Sequence, residues 1–294
     1  RGAKLLPESC QGRTSLSCPY HGWTYGLDGA LLTRPHFHGG GKHHVVAPGE
    51  ADGMPRLASV RADVWQDLVF VNLAENAPPL LEHLAPMIDR LHGYDLSELR
   101  YAGHITMDVK ANWKLIHENY METYHVFAVH PALTKFVPMS DRRPTEFDGD
   151  CIYNEYRFAA AEDGRGQGLP YYPGLSDDFK NRGVWFHFFP TLDLELWPDQ
   201  FAILHVIPLA PDRTREEIHI YLMGDVADGD DYAEARQGVF DMWRDLNAED
   251  VRVLELLQQG RQSPAFDGGA YSAYWEGATH HFSRLVAEQL HGHE

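Results

Sequence analysis

The sequence predicts an α+β protein, with a small all-β part first and a larger part of antiparallel strands and helices after it. Three observations carry this. Residues 1 to about 75 are rich in Gly, Pro and short β-like runs. Further on, aromatic and β-branched runs such as Val184–Phe189 and Phe201–Leu209 have the length and composition of strands. The chain then closes on two stretches of helical periodicity, Tyr232–Gly260 and Ala273–Leu290.

The elements follow in order. Residues 60–72 read as two strands with a turn near Gln66-Asp67. The stretch from His36 to His44 holds four histidines and three glycines and reads as a flexible, solvated loop, with metal binding as the alternative. Ala77-Pro78-Pro79 marks a boundary, giving domains 1–76 and 77–294. Beyond it come a short amphipathic helix over Leu80–Leu91, a strand over Tyr101–Val109 and a helix from Trp113 to Tyr124. A polar, Gly-rich insertion spans roughly residues 141–183 and contains strand-like Ile152–Ala159. Val184–Phe189, Leu192–Trp197, Phe201–Leu209 and Glu217–Met223 then complete an antiparallel sheet.

Composition narrows the function. The 25 Lys and Arg residues against 43 Asp and Glu give a net charge of −18, which argues against nucleic acid or an anionic membrane as partner. No apolar run approaches the ~20 residues of a membrane-spanning helix. Three cysteines without a repeating pattern do not make a disulfide framework, which fits a reducing cytoplasm.

The most informative stretch is Asn112–Pro131, which sets His125 and His130 beside acidic residues at a helix end. Glu118, Glu122 and His125 are four and three residues apart and would share one helix face. Pro131 pushes His130 out of helical geometry, so the helix is expected to end between the two histidines and bend His130 back toward His125. Two imidazoles with one carboxylate and open positions suit non-haem Fe(II) and oxygen chemistry. The alternative is a helix end whose histidines satisfy its last carbonyls.

A third ligand is legible in the late helix. Trp243, Leu246, Val253, Leu254 and Leu257 mark an apolar stripe, and Asp250 falls on it while Asp245, Glu249 and Arg252 lie off it. A carboxylate on a buried face needs a partner, and a metal is one. The alternative is that Asn247 caps a new helix and Asp250 sits in its first turn. Near the N-terminal end, Cys18 and His21 have ligand spacing on a turn made by Pro19 and Gly22. Alone they are half a site. Zinc needs further ligands, and a Rieske [2Fe–2S] centre needs two Cys and two His.

Cys18-Pro-Tyr-His21-Gly-Trp, together with Asn112-Trp-Lys and Glu118-Asn-Tyr-x-Glu122-x-Tyr-His125-x4-His130-Pro, resembles the motif set of Rieske non-haem iron oxygenases, large (alpha) subunit. The resemblance runs over the whole chain. It implies a remainder of a Rieske domain followed by a helix-grip (START-like) catalytic domain, a curved antiparallel sheet around a long helix. That family's first cluster pair, Cys-x-His followed by Arg-Gly, is not found; the chain begins Arg1-Gly2, so a fragment cut just inside the Rieske domain is expected.

The resemblance also implies roles. Mononuclear Fe(II) is held by His125, His130 and Asp250, and Cys18 and His21 belong to the [2Fe–2S] cluster, with O2 as co-substrate. Glu122 would bridge to the cluster histidine of a neighbouring subunit in a homotrimer, a beta subunit being a further option; pairing with a nearby charge is the alternative. Asn119 and Tyr124 would orient the histidines. Electrons would come from an NADH-dependent reductase, with or without a ferredoxin, and the substrate would be a small organic molecule. Tyr120, Trp185, Phe186, His187, Trp197, Tyr271 and Trp275 are pocket candidates, although any single ring is also explained by core packing. A Glu at the bridging position resembles the branch acting on quaternary ammonium compounds, whose cations aromatic faces can cage. Aromatic-ring dihydroxylation, O-demethylation of an aromatic acid and a redox-inactive binding relative remain alternatives. A zinc hydrolase would be expected to show His-Glu-x-x-His, which the sequence lacks.

Overall fold

The computed structural model describes residues 2–39, 43–46, 53–74, 77–158 and 169–291. The chain divides into two compact units, Arg1–His83 and Leu84–Glu294.

The first unit is built from strands. Strands β1 (Ser15–Ser17), β2 (Thr24–Gly26), β3 (Leu31–Pro35) and β4 (His43–Val45) form a four-stranded antiparallel sheet in that order. Strands β5 (Arg61–Trp65) and β6 (Leu68–Asn72) pair as a separate hairpin. Its two-residue turn is Gln66-Asp67, and Gln66 takes the positive φ of 51° that such turns require. Part of the histidine-rich stretch is therefore strand rather than loop: β4 pairs with β3 over Pro35↔His43 and Arg34↔His44, while residues 40–42 lie outside the described residues.

Helix α1 (Leu80–Ile88) crosses the boundary between the units. The second unit contains β7 (Leu99–Val109), α2 (Trp113–Tyr120), α3 (Val126–Val129), α4 (Pro131–Phe136), β8 (Glu146–Asp148), β9 (Cys151–Arg157), β10 (Arg182–Phe188), β11 (Leu192–Leu196), β12 (Gln200–Ala210), β13 (Arg213–Met223), α5 (Ala233–Arg261) and α6 (Gly277–His291). Its seven strands make one antiparallel sheet in the order β7-β13-β12-β11-β10-β9-β8.

Alternation along the strands places Ile105, Val109, Leu204, Val206, Ile218 and Ile220 on one face. Against them pack Leu115 and Ile116 of α2 and Val239, Trp243 and Leu254 of α5. Two helices of very different length thus share the sheet's inner face, and this places the loop after α2 beside the middle of α5. Gly103 is required by that packing. It has a φ of 141° beside a bulge in the β7–β13 pairing, and a Cβ there would sit 3.0 Å from the ring of Phe240 on α5. The α+β class and the long helix on an antiparallel sheet are as the sequence predicts.

Most element ends shift by a few residues, and one shift bears on the site. The catalytic-motif helix does not run to Tyr124; it stops at Tyr120, with Met121 as its fully buried C-cap. Glu122 is the physical reason. Its carboxylate accepts the backbone N–H groups of Tyr124 and His125, offering them a partner other than the helix ladder. His125 and His130 therefore both lie beyond α2, on either side of the single turn of α3.

Candidate metal centre

Helix α2 is anchored at both ends by α5. The side chain of Asn112 caps it by accepting from Lys114 N–H (3.1 Å), and Asn112 N–H donates to Gln258 Oε1 (2.8 Å). Near its other end Glu118 accepts two hydrogen bonds from Arg261 (3.3 and 2.5 Å). Asn247 caps nothing: it lies inside the 29-residue α5, and so does Asp250.

After α2 the chain turns on Glu122 and brings His125, His130 and Asp250 together, each offering a ligand atom within 4.8 Å of the others. His130 Nε2 lies 2.9 Å from Asp250 Oδ1, and His125 Nε2 lies 3.6 Å from the same oxygen. The opposite nitrogen of each ring goes to another carboxylate: His125 Nδ1 to Glu122 Oε1 at 2.5 Å, and His130 Nδ1 to Glu249 Oε2 at 2.7 Å. This is how proteins fix the tautomer and aim of metal-binding histidines. Asn119 Nδ2 lies 3.1 Å from His125 Nε2 and donates to Asp250 Oδ1, also at 3.1 Å, so it steadies two of the three groups.

His130 is 2% exposed. Burial works against a charge there, but the hydrogen bonds and negative charges of Asp250 and Glu249 outweigh it and hold the pKa above the ordinary imidazole value. The centre thus attracts positive charge. Two imidazoles and a carboxylate converging from one side fit a mononuclear Fe(II), and their other side faces a cavity of roughly 80 Å³ lined in part by Tyr120, Thr123, Tyr156, Trp185 and Glu195. That volume admits small molecules such as O2 and water; a larger substrate requires wall side chains to move.

The remaining predicted residues fall in different places. Tyr120 and Trp185 line the cavity, their rings 5.3 Å apart. Phe186, the neighbour of Trp185 on β10, points to the other face of the sheet and is 1% exposed. His187 shares the face of Trp185 but is fully buried against Asp193, His117 and Phe282. Trp197 is packed among Phe136, Tyr156 and Phe158, with its indole N–H donated to Glu195 at 2.9 Å. Trp275 stacks on the exposed ring of Tyr124, and Tyr271 is half-exposed with its hydroxyl at Ser283. None of these five lines the cavity. Tyr124 meets the centre through its backbone N–H alone.

In the first unit, Cys18 and His21 sit on one turn closed by Cys18 N–H to Trp23 O (2.7 Å) and Gly22 N–H to Cys18 O (3.0 Å). They border a cavity of about 740 Å³ with Tyr20, Trp23 and Tyr25. They supply one thiolate and one imidazole, half of what a Rieske cluster takes, so the described residues do not by themselves fit that group.

Sequence reasoning missed Glu249, because its position off the apolar stripe read as surface. It also missed the buried pair His117 and Asp193. The signal for Asp193 was an acidic residue alternating with leucines in Leu192-Asp-Leu-Glu-Leu196, a strand set among apolar ones.

Comparison with known proteins identifies the family. The chain resembles the carnitine monooxygenase oxygenase subunit of Escherichia coli (strain K12), 25% identical over 302 residues covering 98% of this chain and 75% of the relative. It also resembles the chloroplastic choline monooxygenase of Spinacia oleracea, 25% identical over 298 residues covering 98% of this chain and 62% of the relative. Among solved structures, a quaternary ammonium Rieske monooxygenase superposes with a TM-score of 0.73 at 21% identity over 98% of this chain and 76% of the other. Naphthalene 1,2-dioxygenase from Rhodococcus sp. superposes with a TM-score of 0.68 at 16% identity over 98% and 78%. At these identities the superpositions establish the fold. Residues 96–292 match the family described as ring hydroxylating alpha subunit (catalytic domain), and the chain belongs to that family of Rieske-type oxygenases.

Proposed function

We propose that this chain is the catalytic part of a monooxygenase that hydroxylates a quaternary ammonium compound with O2 and electrons from a reductase. The observation that carries the reading is the convergence of His125, His130 and Asp250, with a carboxylate behind each imidazole. Bound there, Fe(II) supplies the chemistry of oxygen activation. The chain's own residues do the rest. Glu122 and Glu249 hold the Nδ1 protons so that each Nε2 presents its lone pair toward the metal position.

Tyr120, Tyr156 and Trp185 offer aromatic faces to a cationic substrate. Glu195, at the same wall, supplies negative charge. The relatives named for carnitine, choline and glycine betaine support this substrate class. The reaction takes O2, two electrons and two protons; one oxygen enters a C–H bond and the other leaves as water. Where the hydroxylated carbon bears nitrogen, the C–N bond breaks to give an amine and an aldehyde.

Glu122 is also proposed as the electron bridge to a neighbouring subunit of a homotrimer. The compartment is proposed as the cytoplasm, on the free thiols Cys10, Cys18 and Cys151. Among the described residues no helix is long and apolar enough to cross a membrane.

The test is reconstitution of the full protein with an NADH-dependent reductase. Carnitine, choline, glycine betaine and a set of aromatic acids are each assayed for O2 uptake and aldehyde release. Turnover of a quaternary ammonium compound that is lost in Asp250→Ala supports the reading. Turnover of aromatic acids alone would sink it.

A further inference from the structure

A second group of two imidazoles and a carboxylate lies outside the centre just described: His117 of α2, His187 of β10 and Asp193 of β11. All three are 0% exposed. The strand register creates two thirds of it, because His187 and Asp193 are direct partners across the β10–β11 hairpin. Helix α2 lays His117 over that pair, with the two imidazole centroids 4.4 Å apart.

Hydrogen bonding does not account for this cluster. Asp193 Oδ1 accepts from His187 Nδ1 at 2.6 Å. Asp193 Oδ2 lies 2.9 Å from His117 Nδ1, a charge contact whose angle is poor for a hydrogen bond. His117 Nε2 and His187 Nε2 are also without hydrogen-bond partners. Leaving such groups unpaired in the interior is destabilising. A nitrogen and an oxygen held in contact but not aimed at each other suit two ligands aimed at a third body.

The charges favour a cation as well. Burial opposes ionisation of Asp193, but the two imidazoles hold its pKa below the ordinary carboxylate value, so it is an anion. Glu216 of β13 is a further buried acid, 1% exposed, with Oε2 unpartnered. Burial and the charges of Asp250 and Asp193 push its pKa up to about 8. A dication at the cluster would relieve both acids at once.

We propose that His117, His187 and Asp193 form a second, structural metal site for a divalent cation of the zinc class, with Glu216 as the balancing carboxylate. All three side chains are sealed from solvent, so an ion there would hold the fold together rather than turn over substrate. Here the ion ties α2 to the β10–β11 hairpin, and α2 is the base of the loop that carries His125.

The test uses the whole chain with the other candidate ligands removed, Cys18→Ser/His125→Ala/Asp250→Ala. The protein is loaded with Zn(II) or Co(II), desalted and measured by elemental analysis and visible d–d absorption. The expected result is about one equivalent retained per chain, a rise in melting temperature with the metal, and loss of both when His187→Ala or Asp193→Asn is added. No retained metal in the triple variant would overturn the proposal. Retention unchanged by His187→Ala or Asp193→Asn would overturn it too. If those additions prevent folding, the milder His187→Gln in the triple variant decides, by lowering metal retention or leaving it unchanged.

Discussion

Glu249→Ala should weaken Fe(II) binding about tenfold while leaving the fold intact. Glu249 Oε2 holds His130 Nδ1 at 2.7 Å. A charge-assisted hydrogen bond of this kind contributes about 1.5–3 kcal/mol. The Glu249 side chain is 45% exposed, so water substitutes for it in part and the lower end applies. About 1.4 kcal/mol is a factor of ten in affinity. Glu122 is the internal control: its side chain is 11% exposed and it also holds the backbone of His125, so Glu122→Ala should cost closer to a hundredfold. The assay is anaerobic competition for Fe(II) against a chelator, with the melting temperature recorded for each variant. Unchanged affinity in Glu249→Ala would refute the orienting role. A loss as large as that of Asp250→Ala would refute it differently, by making Glu249 a ligand.

Three further outcomes follow from the packing and charge. Trp243→Phe removes the indole donor to Gln200 Oε1 (2.8 Å) between two buried residues, and chemical denaturation should show about 1–3 kcal/mol of lost stability. Gly93→Ala places a methyl 2.4 Å from the Phe179 ring, so it should destabilise by about 1–3 kcal/mol; a neutral result would mean that the ring swings away freely. In metal-free protein, Glu216 keeps its proton in the folded state up to about pH 8, whereas the unfolded chain releases it near 4.5. The folded state therefore binds more protons in that window, and stability should fall as pH rises through it, by up to about 1.4 kcal/mol per unit. Glu216→Gln should flatten that slope in a melting series, and an unchanged slope would assign it to other groups.

The legible parts of this protein were those written in local spacing. His125 and His130 announce themselves through the motif around Pro131, and Asp250 through its place on an apolar stripe. Strand positions such as Val184–Phe189 follow from composition alone. What stayed hidden needed partners distant in sequence. The end of α2 at Tyr120 has no Gly or Pro to mark it, because a side chain competing for backbone N–H groups sets it. The pairing of His187 with Asp193 depends on hairpin register, and its meeting with His117 on how a helix lies on a sheet. Five of the seven pocket candidates miss the cavity for the same reason. Alternation separates Trp185 from Phe186, but it does not say which of Trp185 and His187 reaches the cavity.

Helix α5 has a consequence for how the gene can change. Glu249 and Asp250 leave it about 100° apart, and the His130 ring lies between them, its nitrogens 2.7 and 2.9 Å away. One end of this stretch is pinned by Trp243 to Gln200, and the other by Gln258 and Arg261 to the start and end of α2. The helix therefore works as a reading frame in space. Inserting or deleting one codon between Trp243 and Asp250 would turn everything downstream by about 100° and shift it by about 1.5 Å, and every one of those downstream contacts would lose its partner together. A point change along α5 removes one contact, but a change in its length removes them together.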